Sequence, residues 1–239
     1  WWMIQVDAQN GKIIGKNNLT IYEGQHNFNE DIINVEKIEK PEKDFFSITA
    51  LQKNTSNNPS LVNTVNYLVI PYPAESPIHN GGTPAVRTNP WTNATGNATS
   101  LGWHNNGSTD YTISRGNNVW ATEDRAGTNG STIITPNGIP ATSTTSPDPL
   151  NFQFAPNFSL DPTSPNYQQF AITNLFYWNN IIHDITYQYG FTEPAGNFQA
   201  NNQGRGGAQN DYVIAIAQSS TGTNNANFNT PADGGSGRM

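Results

Sequence analysis

Cysteine is absent from the 239 residues, which excludes disulfide staples, thiolate nucleophiles and thiolate metal sites together. Charge is scarce too. Only 12% of residues are Asp, Glu, Lys or Arg, about half the usual share. The 11 basic residues are outnumbered by 18 acidic ones, giving a net charge of −7. Such a balance argues against a nucleic-acid or polyanion partner. No apolar run approaches the roughly 20 residues that cross a bilayer, so no membrane span is expected.

What is present suffices for a core. Hydrophobic residues make up 34% and aromatic residues 11%, six of them Trp. Polarity comes from Asn, Thr, Ser and Gly, a composition frequent among extracellular β-rich proteins, and glycosylation sequons occur at Asn93 and Asn97. The chain opens on Trp1-Trp2 and stops at Gly237-Arg238-Met239. Both ends read as cuts through a longer polypeptide.

Along the chain, residues 1–23 read as a β-hairpin, with Met3, Ile4 and Val6 in one strand and Ile13 and Ile14 opening the next. Asn10-Gly11 supplies the turn because both residues tolerate positive φ. Residues 24–44 carry clustered charge and Pro41, the pattern of a solvated linker. Strand-like runs follow at 45–51 and 65–70, and a hairpin is expected from 111–114 and 118–123, turning at Arg115-Gly116-Asn117. Residues 127–165 are proline-rich and read as mostly irregular, with room for short hidden strands. A buried-looking strand is expected at 212–217.

The clearest element is a helix over 165–189. Ser164 suits the N-cap, Pro165 the first helical position and Gly190 a left-handed C-cap. Ala171, Leu175, Trp178, Ile182, Ile185 and Tyr189 recur at 4-3-4-3-4 spacing and predict one continuous apolar face turned to the core.

Chemistry-bearing residues are few. The four histidines, His26, His79, His104 and His183, include no i, i+4 pair, so the two-histidine zinc helix HExxH is absent. No G-x-S-x-G nucleophile elbow occurs either. No catalytic residue and no metal ligand is assigned within the chain. His183-Asp184 reads either as a metal-related pair or as a partly buried polar pair satisfied by other groups. Sequence neighbours diverge by about 100° on a helix, so direct bonding between the two is not expected. Gly204-Arg205-Gly206-Gly207 lacks the strand–loop–helix setting and the lysine of a phosphate cradle, and reads as a tight loop needing positive φ.

Certain runs point to a family. Asn174-Leu-Phe-Tyr-Trp-Asn-Asn-Ile-Ile-His-Asp184, continuing to Tyr189-Gly190-Phe191, resembles fungalysin-type (M36) metallopeptidases. So do Gly196-Asn-Phe-Gln-Ala-Asn-Asn-Gln-Gly-Arg-Gly-Gly207, Asn210-Asp211, Gly222-Thr-Asn-Asn-Ala-Asn-Phe228 and Pro231-Ala-Asp-Gly234. Upstream, Gly102-Trp103-His104 and Arg115-Gly116-Asn117-Asn118-Val119 look similar to the same family. These blocks cover most of residues 65–239 in the right order.

The resemblance implies an α+β fold: the mostly β N-terminal lobe of a thermolysin-like metallopeptidase, with one long amphipathic helix. It implies residues 1–23 as the closing hairpin of a propeptide, 24–44 as a linker and 45–239 as an incomplete catalytic domain. It implies secretion and zinc-dependent endoproteolysis by the full-length protein, with a metal-activated water as nucleophile. The zinc ligands would lie beyond Met239, leaving this chain alone inactive. Its partners would be peptide or protein substrates and the remainder of its own catalytic domain. Asn225, Ala226 and Asn227 resemble an edge segment whose backbone holds an extended peptide substrate, as an exposed strand edge can. Two other readings stand beside this one. One is an extracellular binding module using Trp91, Trp103 and Trp120 for carbohydrate stacking; the other is a propeptide fragment that inhibits or folds a separate protease.

Overall fold

In a computed structural model, the backbone is described for residues 2–6, 13–18, 64–128, 136, 138–162, 164–220, 222 and 224–239. The linker at 24–44, the run at 45–51, the Asn10-Gly11 turn and His26 lie outside the described residues. Two units divide the chain, Trp1–Glu42 and Lys43–Met239.

In the first unit, β1 (Trp2–Val6) pairs antiparallel with β2 (Ile13–Asn18). The register runs from Trp2 opposite Asn18 to Gln5 opposite Gly15, then slips so that Val6 faces Ile13. The two strands expected around Met3, Ile4 and Val6 and around Ile13 and Ile14 are therefore paired.

Among its described residues the second unit joins two small sheets and one long helix, an α+β architecture. β3 (Val65–Val69) lies between β4 (Ala85–Thr88), antiparallel to it, and β6 (Leu150–Phe152), parallel to it. The strict alternation of burial along β3 sends Val65, Tyr67 and Val69 inward, as period-2 patterning requires. β6 is the short strand hidden in the proline-rich stretch. β5 (Val119–Glu123) and β7 (Val213–Ala217) pair in parallel, with Val119 opposite Val213 and Ala121 opposite Ala215. Upstream of β5, the expected hairpin survives only in outline. Ala121 N–H donates to Ser114 O and Gly116 N–H to Val119 O, yet residues 111–114 form no strand of their own. They turn instead to other partners: Ile113 bridges Thr142, and Ser143 N–H donates to Thr112 O.

α1 (Pro165–Gln188) packs on both sheets. Ser164 precedes it without a side-chain capping bond, and Gly190 follows at φ 100°. Its buried face is not the predicted stripe. Ile182 and Tyr189 are exposed, and Ala171, Leu175, Trp178 and Ile185 only half-buried. The core side carries Phe170, Ile172, Thr173, Phe176, Tyr177, Asn180, Ile181 and Asp184. Hydrophobic periodicity missed this face because polar residues sit within it, and two of them are held there by specific bonds. Asn180 donates to Phe176 O and accepts from Asn118 Nδ2; Asp184 accepts from Trp103 Nε1 at 2.9 Å. The outer stripe borders an open apolar groove with Ile70, Phe158 and Ile216.

At the centre, Tyr67, Trp103, His104, Phe152 and Phe176 form an aromatic cluster with ring centroids 4.9–6.5 Å apart. His104 is wholly inside it, and its two nitrogens meet Tyr67 Oη at 2.7 Å and Ile113 O at 3.1 Å. Burial lowers its pKa from 6.5 to about 3, so the ring is neutral, with Nδ1–H donating to Ile113 O and Nε2 accepting from Tyr67. Trp103 is fully buried, Trp91 packs against it at 5.8 Å, and Trp120 lies 3.8 Å beneath the Arg115 guanidinium.

Candidate substrate-binding edge

β7 does not end its sheet on the side away from β5. Residues 237–239 run alongside it: Ile214 N–H donates to Gly237 O at 2.8 Å, and Met239 N–H to Ile214 O at 3.1 Å. Outside them, Asn229 pairs antiparallel with Arg238 through two bonds of 2.7 and 3.1 Å. The order across this band is therefore β5, β7, Arg238, Asn229. Residues 225–228, which lead into Asn229, stand at its outer margin.

The predicted contacts Asn225, Ala226 and Asn227 are all exposed, as are Asn224 and Phe228 on either side. Asn224 adopts φ 51°, which turns the chain before the segment begins. At the other end Phe228 stacks edge-on with Phe198 at 5.9 Å, and Phe198 in turn with Phe191. Gly237 lies directly under this ring pair; a Cβ there would come within 2.8 Å of Phe228 Cζ. Among the described residues, the main-chain N–H and C=O groups of 225–228 have no hydrogen-bond partner. The segment is thus pinned at Phe228–Asn229 and open along its length.

Behind it, the loop over 196–210 is braced from α1. Glu193 is buried and accepts from Arg205 Nε and Tyr187 Oη, each at 2.7 Å. Burial, then the Glu193 carboxylate, pushes the Tyr187 hydroxyl up to about 12. Gly204, Gly206 and Gly207 take positive φ, as a tight loop demands. Composition hid this brace: nothing in the sequence pairs Glu193 with an arginine twelve residues on. Asp211 and Asp233 were missed as well; they tie the loop to the segment that follows the edge.

His183 Nδ1 does lie 3.0 Å from Asp184 Oδ1, against the expectation for helical neighbours. Trp103 holds one oxygen of Asp184, and the other is left turned along the helix surface towards the imidazole. Burial raises the Asp184 pKa, partly countered by His183 and Trp103.

A zinc centre needs three or four converging His, Asp or Glu side chains. Among the described residues no such group occurs. His79 is on the surface beside Ser76, His104 spends both nitrogens inside the core, and His183 turns Nδ1 to Asp184 while its Nε2 is buried with no partner among the described residues. These side chains do not fit a zinc ion.

With this geometry in place, the chain can be set beside known proteins. A sequence model of the fungalysin metallopeptidase family (M36) matches residues 66–239. The chain is 42% identical over 178 residues to extracellular metalloproteinase 2 of Arthroderma otae, covering 74% of this chain and 26% of that protein. It is 44% identical over 158 residues to extracellular metalloproteinase 2 of Trichophyton rubrum, covering 66% and 23%. Against extracellular metalloproteinase MEP of Pyricularia oryzae it is 39% identical over 178 residues, covering 74% and 26%. The chain belongs to the fungalysin metallopeptidase family. It spans about a quarter of the length of these relatives. No helix among the described residues is long and apolar enough to cross a membrane.

Proposed function

We propose that residues 45–239 are the N-terminal lobe of the catalytic domain of a secreted zinc metalloendopeptidase. Residues 1–23 are then the end of its propeptide and 24–44 the linker between them. In this reading the chain supplies the edge that aligns a peptide substrate, and other parts of the polypeptide supply the zinc ligands. The single observation that carries the substrate role is the open main chain of 225–228 at the outer margin of the β5–β7 band. Family membership and the names of the extracellular relatives support secretion and proteolysis. The half-buried outer stripe of α1, with Leu175 and Trp178, is the surface on which the remainder of the catalytic domain packs.

An extended peptide laid beside 225–228 exchanges main-chain hydrogen bonds with it as an added strand. The Asn225 amide adds a side-chain donor and acceptor, and the small Ala226 leaves its own carbonyl unobstructed. Each net hydrogen bond contributes about 1 kcal/mol, so three or four of them, offset by ordering the peptide, give millimolar binding or weaker. NMR titration suits that range. With the blocked peptide acetyl-Ala-Gly-Leu-Ala-amide added to the isotope-labelled chain, amide shifts should be confined to 225–228 and their neighbours. Shifts that leave those amides unmoved would overturn the reading.

A further inference from the structure

Two carboxylates tie down the loop that follows the edge. Asp211, two residues before β7 begins at Val213, is completely buried. Its Oδ1 accepts from Gln199 N–H at 2.9 Å, while its own N–H donates to Gln199 O at 3.3 Å. Its Oδ2 accepts from Gly234 N–H at 3.1 Å. Asp233 answers from the opposite direction: its Oδ2 accepts from Ala208 N–H at 2.9 Å. The two ties are reciprocal. Asp211 holds the residue after Asp233, and Asp233 holds the residue three before Asp211.

The loop so held runs from Asn229 to Arg238. Its base is closed by the Asn229–Arg238 pair, and Arg238 is fixed to Ile214 three residues after Asp211. Its tip, at 233–234, is fixed by the two carboxylates. Close packing leaves little slack: Gly234 is at φ +88°, and a Cβ on it would be 3.0 Å from Ala208 Cβ. On its other side, a Cβ on Gly196 would meet the Asp233 side chain at 3.5 Å. No Lys, Arg or His among the described residues forms an ion pair with Asp211 or Asp233. Each carboxylate is held by main-chain N–H groups, which have fixed directions. That makes the tie a directional one, unlike a flexible surface ion pair.

We propose that Asp211 and Asp233 are positioning residues for peptide binding: they fix the 229–238 loop against the 196–211 loop and so set how residues 225–228 are presented to a substrate. The proposal rests on the reading of 225–228 as the peptide-binding edge. Neither carboxylate touches the peptide. They act through Gly234, Arg238 and Asn229, the last of which is the hinge from which the edge extends.

The test pairs amide hydrogen exchange with the acetyl-Ala-Gly-Leu-Ala-amide titration on Asp211→Asn, Asp233→Asn and Asp233→Glu. In Asp211→Asn the amide nitrogen must face either Gln199 N–H or Gly234 N–H, donor against donor; the exposed Gly234 side yields. Exchange over 229–235 should rise at least tenfold, exchange in α1 should stay as it was, and peptide binding should weaken about fivefold or more. Asp233→Asn keeps an oxygen for Ala208 N–H but loses the charge that strengthens the bond, so it should act in the same direction more mildly, and its exposed position keeps the fold out of question if Asp211→Asn does not fold. Asp233→Glu restores a carboxylate at the surface and should recover both readouts, which loss of packing alone would not. A loosened loop with unchanged peptide affinity would overturn the positioning role. Unchanged exchange over 229–235 in both Asn variants would overturn the tie itself. If the unaltered chain shows no peptide response at 225–228, the edge reading fails, and the exchange data still report separately on the tie.

Discussion

Acid should unfold the second unit through His104. The ring is buried among Tyr67, Phe152 and Phe176, and burial lowers its pKa from 6.5 to about 3. Between those values the unfolded chain binds a proton that the folded chain refuses. Stability therefore rises with pH across the window and is lost as pH falls from about 6.5 towards 3. The slope for one such group is about 1.4 kcal/mol per pH unit, so acidification from pH 6.5 to 5 costs about 2 kcal/mol. Against a total of roughly 5–15 kcal/mol for a domain, that is a visible fraction. Asp184 and Asp211 work in the opposite direction: burial raises both pKa values, so the folded state takes up their protons first and gains stability as pH falls towards the ordinary carboxylate value. His104→Gln leaves both carboxylates in place, so the difference between the two proteins isolates the histidine. Urea unfolding followed by Trp fluorescence at pH 7, 6.5, 6 and 5 measures the slope, and His104→Gln removes it while keeping a donor and an acceptor for Ile113 and Tyr67. The variant should be less stable at pH 7 and flatter towards pH 5. Parallel pH dependence in the two proteins would refute the assignment of the acid sensitivity to His104.

Three further outcomes are expected. Gly237→Ala drives a methyl group into Phe228 and Phe198, so it should cost about 1–3 kcal/mol in urea unfolding and shift the amides of 226–229; a neutral result would mean the rings are not seated there. The purified chain should hold no stoichiometric zinc and show no chelator-sensitive casein hydrolysis, since its described residues bring no ligand set together; one tightly held equivalent by metal analysis would contradict this. Limited proteolysis should cut first between Gln25 and Asp44, where charge and Pro41 cluster in the sequence, and should spare α1, whose Ile172, Phe176 and Ile181 are buried; first cuts within 175–185 would argue that the helix is not a core element.

The helix was legible because its signals are local: Pro165 at the start, Gly190 after the end, and a long run without a breaker. Its orientation was not. Counting apolar residues favoured the stripe through Leu175, Trp178 and Ile182, but the core takes the side bearing Asn180 and Asp184. What makes those polar residues tolerable inside, Asn118 and the Trp103 indole, comes from 62 and 81 residues away. The same distance problem hid the β5–β7 pairing, a parallel match with no hairpin to announce it. Within the candidate site, Asn225, Ala226 and Asn227 were suggested by family resemblance alone, because an exposed polar segment has no periodicity to read. The carboxylates behind it were invisible for a different reason: their partners are main-chain N–H groups, and those carry no sequence signature.

That choice of partner follows from the composition. A chain with 11 Lys and Arg against 18 Asp and Glu has few cations to place inside, and one of them, Arg115, lies over Tyr111, Trp120 and Tyr212. Arg205 serves Glu193. The remaining buried acids among the described residues are held chiefly by donors of fixed direction: Asp184 by the Trp103 indole, with His183 at 3.0 Å, Asp211 by the N–H groups of Gln199 and Gly234, Asp124 by that of Thr128, and Glu123 by those of Arg125 and Ile139, with the Arg125 side chain at 3.8 Å. An arginine or lysine can follow a displaced carboxylate; a main-chain N–H cannot. Each buried acid therefore fixes the relative position of the segments it joins. At Asp211 those segments are the 196–200 strand of loop, the entry to β7 and the tip of the 229–238 loop, which is the support on which the open edge at 225–228 stands.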